Sequence, residues 1–177
     1  MEMVILVDEK DNETGSMEKM EAHVKGVKHR AFSVFVFDSE GRLLLQRRAL
    51  DKYHSGGLWT NTCCSHPRPG ETSLMGAHRR LIEEMGFDTE LIHAFELSYE
   101  VRFENGIWEN EYDHVFVGRY DGKYAEDSSE VHEARWFSIP ELRVKIKSEP
   151  EAFTHWFRLI MENEKFLKHI EDMGINI

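Results

Sequence analysis

Cysteine is nearly absent from this sequence of 177 residues, and its only two cysteines, Cys63 and Cys64, are neighbours. Adjacent residues of an extended chain point to opposite sides, and a disulfide between them would close a strained ring. The sequence therefore excludes a disulfide framework. We expect both thiols to be free and the protein to reside in the reducing cytoplasm.

Long hydrophobic runs and an excess of positive charge are absent as well. No apolar stretch approaches the roughly 18 residues of a membrane span, and no basic segment precedes the short apolar run near the N-terminus, so we expect no signal peptide. The 33 acidic residues outnumber 22 basic ones, for a net charge of −11. This charge argues against broad binding to nucleic acid or to anionic membranes. The length and the 41% hydrophobic composition predict one globular domain over residues 1–177.

Segments rich in β-branched and aromatic residues predict a sheet. Asn105-Gly106 is a strong hairpin turn, residues 8–15 and 38–41 are rich in turn formers, and residues 48–57 form a polar loop. The predicted strands cover residues 4–7, 31–37, 42–47, 58–64, 96–103, 107–120 and 134–137.

Helical periodicity is clearest over residues 71–85, where apolar side chains recur every three or four positions and Gly86 follows as a stop. A short helix is expected from Pro140, and the apolar stripe of residues 150–173 predicts a long terminal helix. Many strands with few helices indicate an α+β fold, in which a mixed β-sheet is packed between α-helices.

Glu109 and Glu111 are candidate metal ligands, because alternate residues of a strand lie on one face and two such carboxylates repel unless a cation lies between them. A solvated strand face is the alternative. Adding His23, His29 and His66 would make a nitrogen and oxygen site suited to Zn²⁺, Mn²⁺ or Fe²⁺. Five other histidines have no ligand-like partner in the sequence and are expected to be ordinary surface or core residues: His54, His93, His132, His155 and His169.

Basic residues cluster before and within the predicted helix. This pattern is what the capture of a small polyanion requires, although it is also typical of an edge strand guarded by charge. The residues are Lys19, Arg42, Arg47, Arg48, Lys52 and Arg80. On the helix, Glu84 is either the i+4 ion-pair partner of Arg80 or a ligand of a Mg²⁺ near bound phosphate.

Four segments together resemble the type 1 isopentenyl-diphosphate Δ-isomerases, a flavin-independent family of the Nudix superfamily. They are residues 29–35, 59–67, 79–86 and 106–111, and the resemblance covers about residues 4 to 159. On the Nudix box G-x5-E-x7-R-E-U-x-E-E-x-G-U, the chain matches at Glu71, Arg79, Leu81, Glu83, Glu84, Gly86 and Phe87. It departs at Ser65, in place of the first glycine, and at Arg80, where a hydrolase has a metal-binding glutamate. The second departure favours gripping an intact diphosphate over hydrolysing it.

The resemblance implies a Nudix-like fold, a small-molecule diphosphate substrate and a set of site residues. Cys64 and Glu111 would be the catalytic pair. His23, His29, His66, Glu109 and Glu111 would hold one divalent metal (Mn, Zn or Mg), while Glu84 and the Cys64 carbonyl would serve a Mg²⁺ on the diphosphate. The residues expected to bind substrate are Lys19, Arg48, Lys52, Arg80 and Trp156.

The family's active-site tyrosine matches either Tyr99 or Phe103 in position. The C-terminal helix, about residues 150–173, would cover the site, and the protein would act as a monomer or weak dimer without flavin. Two other functions remain open: a Nudix hydrolase of a small diphosphate, and a non-catalytic metal-binding module.

Overall fold

The computed structural model describes residues 2–52 and 54–177. These residues form one mixed sheet flanked by helices. The strands are β1 (Met3–Val7), β2 (Glu13–Glu18), β3 (His29–Phe37), β4 (Leu43–Arg48), β5 (Trp59–Thr60), β6 (Cys63–Ser65), β7 (Leu91–Arg102), β8 (Trp108–Arg119) and β9 (Val131–Phe137). The helices are α1 (Lys19–Lys25), α2 (Ser73–Met85), α3 (Ile139–Ser148), α4 (His155–Met161) and α5 (Glu164–Asp172). None of these helices is long and apolar enough to cross a membrane.

The central strand β3 organises the sheet. It pairs in parallel with β8 along its whole length and antiparallel with β6, while β7 extends the sheet beyond β8 as the predicted hairpin. Strand β4 does follow β3 through a tight turn, but it pairs with β3 only at Phe37 and Leu43 and forms its long ladder with β9. Nearly all of β3 is buried, because both faces of this strand are covered.

Two apolar layers cover the two faces of the sheet. On one face, Phe32, Val34 and Cys63 pack against Leu81 and Met85 of α2. On the other face, aromatic residues of the sheet pack against the three C-terminal helices. The predicted sheet between helices is therefore confirmed.

Helix α2 begins and ends where its sequence predicts, within two residues. The Thr72 side chain caps its first turn by accepting a hydrogen bond from the Met75 amide. Gly86 ends the helix with a φ of 72°, a left-handed conformation that glycine adopts without steric cost.

The first predicted strand is confirmed as β1, but two other predictions near the ends of the chain differ from the structure. The turn expected over residues 8–15 ends early, since β2 starts at Glu13 and leads directly into α1. The expected single helix over residues 150–173 is wrong. A 3-10 turn (Pro150–Ala152) comes first, and the extended residues Phe153 and Thr154 then separate it from α4.

The break in the terminal helix has a structural cause. Thr154 donates its amide hydrogen to the Trp59 carbonyl, and its hydroxyl lies 2.9 Å from that of Thr60. These bonds to β5 replace helical ones. Asn163 then caps α5 by accepting from the Lys165 amide.

Candidate active site

A row of carboxylates along β8 forms the floor of the site. Glu109, Glu111 and Asp113 are all buried, while the residues between them are more exposed. This alternation follows from the strand's period of two, which places the three side chains on one face. The predicted pairing of Glu109 with Glu111 on one face is confirmed.

Three histidines surround these carboxylates, each supplied by a different element. His29 opens β3 directly beside Glu111 in the parallel ladder, His66 follows β6, and His23 comes from α1. The ligand atoms of His23, His29, His66, Glu109 and Glu111 all lie within 4.8 Å of one another, and all five residues are buried. The structure therefore brings the whole predicted ligand set together.

The chemistry of this cluster fits a divalent metal. His29 Nε2 lies 3.6 Å from a Glu111 oxygen and His23 Nε2 lies 3.5 Å from a Glu109 oxygen. These spacings suit ligands that share a cation better than hydrogen bonds. The Nε2 of His29 makes no hydrogen bond within the described residues, although buried polar atoms ordinarily do. Burial also lowers the pKa of His66 to about 3, so its ring is neutral, as a ligand must be.

Cys64 lies on the same face as this cluster. In the register of β3 and β6 it stands opposite Ser33 and lines the cleft above the carboxylates. Burial raises the pKa of its thiol to about 12, so the thiol keeps its proton at neutral pH. Cys63 points to the other face and is fully buried against Phe32 and α2, as predicted.

The predicted diphosphate ligands line the opposite wall of the cleft, where Lys19, Arg48, Lys52 and Arg80 converge. In this structure Lys19, Lys52 and Arg80 contact carboxylates, and Arg48 contacts the His54 carbonyl. Lys19 Nζ lies 3.1 Å from Glu2, Lys52 pairs with Glu130, and Arg80 pairs with Glu84 at 2.5 Å and with Glu130 at 3.2 Å. Of the wider basic cluster, Arg42 and Arg47 pair instead with Asp38 and Glu133 and lie outside the cleft lining.

Glu84 lies at the base of this wall and is almost completely buried. Its second oxygen accepts a hydrogen bond of 2.8 Å from Gln46, a residue that sequence analysis did not single out. Both roles considered for Glu84 are compatible with its position. It is the ion-pair partner of Arg80, and its carboxylate faces the cleft where phosphate is expected.

His54 contacts the cluster, whereas the sequence analysis expected it to be an ordinary surface or core residue. Its Nε2 lies 2.7 Å from Glu109 Oε1, its ring stacks on Phe103 with centroids 4.9 Å apart, and it is 6% exposed. His54 lies between β4 and β5, and this position in the chain carries its side chain to the cluster. No spacing in the sequence links residue 54 to residue 109, and the only signal was its position two residues after Lys52.

Of the two residues that could match the family's tyrosine, only Tyr99 contacts the carboxylates of the cluster within the described residues. Its hydroxyl donates a hydrogen bond of 2.5 Å to Glu111 Oε2, while Phe103 packs on His54.

Asp113 is a further buried acid that sequence analysis missed. Burial and the charge of Glu111 raise its pKa, and Ser33 donates a hydrogen bond of 2.8 Å to it. Burial and the Glu111 charge both favour the neutral form of this carboxyl.

Trp156, from the first turn of α4, closes the cleft. The indole is 3% exposed, meets the His54 ring edge to face at 6.0 Å, and has the Arg48 guanidinium 5.4 Å from its ring centre. Trp156 thus lines the cleft, although the C-terminal segment that carries it is not one continuous helix.

Comparison with known proteins agrees with this geometry. A family model for the NUDIX domain matches residues 27–157. The isopentenyl-diphosphate Delta-isomerase of Burkholderia multivorans is 55% identical over 161 residues, which cover 91% of this chain and 92% of that protein. A protein of Aromatoleum aromaticum named isopentenyl-diphosphate Delta-isomerase 2 is 51% identical and covers 91% of this chain and 85% of its own length.

Solved structures agree on the fold. The crystal structure of the DR0079 protein from Deinococcus radiodurans superposes with a TM-score of 0.75 at 18% identity, covering 89% of this chain and 96% of that one. A MutT protein from Methanosarcina mazei gives a TM-score of 0.63, also at 18% identity, with coverage of 83% and 95%. The NUDIX model matches most of this chain, and the relatives share half of its residues. The chain therefore belongs to the isopentenyl-diphosphate Δ-isomerase family of the Nudix superfamily.

Proposed function

We propose that this protein converts isopentenyl diphosphate to dimethylallyl diphosphate in isoprenoid biosynthesis. The observation that carries the proposal is a single cleft in which a thiol, a buried carboxylate cluster and a wall of basic side chains face one another. The relatives that share half of its sequence bear the name of this activity.

The basic wall would bind the diphosphate. Four cations in a protein of net charge −11 form a local attraction for a small polyanion. Their present carboxylate partners, Glu2 and Glu130, would give way to phosphate oxygens. Arg80 stands where the hydrolases have a metal-binding glutamate, so this wall would bind a diphosphate that stays intact rather than favour its hydrolysis.

The His and Glu cluster would hold one divalent metal, with Mn, Zn and Mg all compatible with its donors. A cation there would neutralise the two carboxylates and fix the Glu111 side chain toward the substrate. Glu84, together with the carbonyl of Cys64, would hold a Mg²⁺ that neutralises charge on the diphosphate. The proposed chemistry needs no flavin.

Cys64 and Glu111 would move the protons. The substrate carries an unactivated alkene, so its isomerisation requires a proton at C4 and the loss of one from C2, through a tertiary carbocation. The two groups project from β6 and β8, the strands on either side of β3. One could therefore act on each side of a substrate lying over β3. Tyr99 would hold Glu111 in place through its hydrogen bond.

Trp156 would protect the cation. A desolvated indole face attracts a cation by about 2 kcal/mol or more, and in this structure the ring already faces the Arg48 guanidinium. The C-terminal segment that carries it would also keep water out of the cleft, since water would quench a carbocation. We propose on this basis that residues 1–177 act as one domain whose C-terminal segment covers the site.

His54 would position Glu109. A carboxylate oxygen only accepts, so the His54 Nε2 carries the hydrogen in this contact, and Nδ1 lies 3.2 Å from the Ser55 hydroxyl. Glu109 Oε1 is thereby held, while Oε2 faces the histidine cluster. Ser55 adopts a φ of 52°, an uncommon conformation for a residue other than glycine, which indicates a loop shaped for this contact.

Replacing His54 by phenylalanine should weaken metal binding. Phenylalanine keeps the stacking on Phe103 but removes the donor to Glu109, and loss of such an outer-shell partner typically costs roughly 10–100-fold in metal affinity. His54→Gln, which keeps a donor, should bind metal more tightly than His54→Phe. Equilibrium dialysis with Mn²⁺ measures the affinity, with exposed His132→Phe as the control. Wild-type affinity in His54→Phe would remove this role.

The decisive test of the function is direct. Purified protein incubated with isopentenyl diphosphate and Mg²⁺ should form the allylic isomer, detected by its acid lability, without releasing phosphate. Phosphate release would favour a Nudix hydrolase instead. Absence of both products in a protein that binds metal would favour a non-catalytic metal-binding module.

We also propose that the protein resides in the cytoplasm. The two cysteines are free thiols, which suits a reducing cytoplasm. The expectation of a monomer or weak dimer stays a prediction.

A further inference from the structure

A second group of potential metal ligands lies on the opposite face of β8 from the active-site cluster. His93 and Glu96 come from β7 and His114 from β8, and one donor atom from each lies within 4.8 Å of the other two. Since Glu109, Glu111 and Asp113 occupy one face of β8, the alternation of the strand places His114 on the other. The two groups therefore do not share a side chain or a face.

The register of β7 and β8 builds this group. Glu96 is paired directly with His114, and a bulge interrupts the ladder between His93 and Phe95. In a regular strand His93 would share a face with Phe95 and point away from Glu96. The extra residue turns it around, so that His93 Nε2 lies 3.3 Å from Glu96 Oε1. Bulges of this kind commonly re-aim a side chain at a functional position.

The carboxylate of Asp11 holds the His114 ring in position. His114 Nε2 lies 2.9 Å from Asp11 Oδ2, and Arg30 fixes Asp11 with two hydrogen bonds of 2.7 Å, to its other carboxylate oxygen and to its carbonyl. Asp11 has a φ of 62°, so the loop after β1 adopts an uncommon conformation to present it. Paired carboxylates of this type orient metal-binding histidines. Burial lowers the pKa of His114 in spite of Asp11, which favours the neutral ring that a metal ligand requires.

We propose that His93, Glu96 and His114 form a second metal site, which takes Zn²⁺ and is separate from the catalytic one. Two imidazoles and one carboxylate are a borderline donor set that zinc accepts with three protein ligands and a water. All three side chains are at least partly exposed, so the ion can enter from solvent. A bound ion would join β7 to β8 and stabilise the hairpin that carries Tyr99, Glu109 and Glu111.

Metal stoichiometry tests the proposal. Holoenzyme is dialysed against excess Zn²⁺, then against metal-free buffer, and its metal content is measured by mass spectrometry. Wild type should retain one equivalent more than His93→Ala. His132→Ala, which removes an exposed histidine of β9, should match wild type. Isomerisation by His93→Ala in Zn²⁺-free buffer should equal that of wild type, since His93 lies outside the cleft.

The difference between the two proteins decides the matter. Equal metal contents in wild type and His93→Ala overturn the second site, whatever their common value. Because the catalytic cluster is intact in both proteins, a failure of metal binding there lowers both contents equally and leaves this difference unchanged. The outcome for the second site is thus independent of the proposed isomerase activity.

Discussion

Glu111→Gln should lower isomerisation by about 10²–10⁴-fold or more, even at saturating metal. Its carboxylate lies 2.8 Å from His66 and accepts a hydrogen bond from Tyr99, so it serves in the ligand cluster and also faces the cleft. The amide loses the charge and the capacity to move a proton, and general acid–base catalysis alone contributes this magnitude. Initial rates across a metal titration measure the effect.

Glu109→Gln is the matched control, because Glu109 contacts His23 and His54 but has no proposed part in proton transfer. Its activity should fall at low metal and recover substantially as metal is added. Removing metal from wild type with a chelator should also abolish activity. Full activity in metal-free protein, or equal recovery of both variants, would contradict the roles given to this cluster.

Cys64→Ala should abolish measurable isomerisation while leaving the fold nearly as stable as wild type. The thiol is only half-buried and lines the cleft, so its loss removes a proton-transfer group, an effect of about 10²–10⁴-fold or more, without opening the core. Cys63→Ala should do the reverse. Cys63 is fully buried beside Phe32 and Leu81, and losing its sulfur should cost on the order of 1 kcal/mol of unfolding free energy with most turnover retained.

The two cysteine variants are compared by turnover and by thermal unfolding. The comparison is sharp because the residues are adjacent and chemically identical, and differ only in the face of the sheet to which they point. If Cys63→Ala loses activity and Cys64→Ala loses stability, the assignment of faces in β6 is wrong.

Basic side chains of the cleft are already paired with carboxylates. Lys52 and Arg80 are both paired with Glu130, and Arg80 also with Glu83 and Glu84. A diphosphate bound here, as we propose, would therefore replace existing ion pairs rather than meet unpaired cations. Partly buried pairs of this kind hold their side chains in place before the ligand arrives.

Local patterns determined much of this protein. The period of two in β8 was enough to put Glu109 and Glu111 on one face, and to separate Cys64 from Cys63 in β6. The Thr72 and Gly86 ends of α2 followed from short-range capping chemistry. In each case the information lies within a few residues, where backbone geometry is nearly fixed.

Tertiary structure alone decided the contacts between distant segments. The parallel pairing of β3 with β8 sets His29 beside Glu111, and no local pattern encodes a partner 82 residues away. The resemblance to a family supplied that ligand set, but it gave no role to His54, whose loop reaches Glu109 only in the folded chain. The apolar stripe of residues 150–173 likewise suggested one helix, because periodicity does not register the hydrogen bonds from Thr154 to β5 that break it. The local sequence pattern sets the face that a side chain takes within a regular element, whereas packing decides which elements meet.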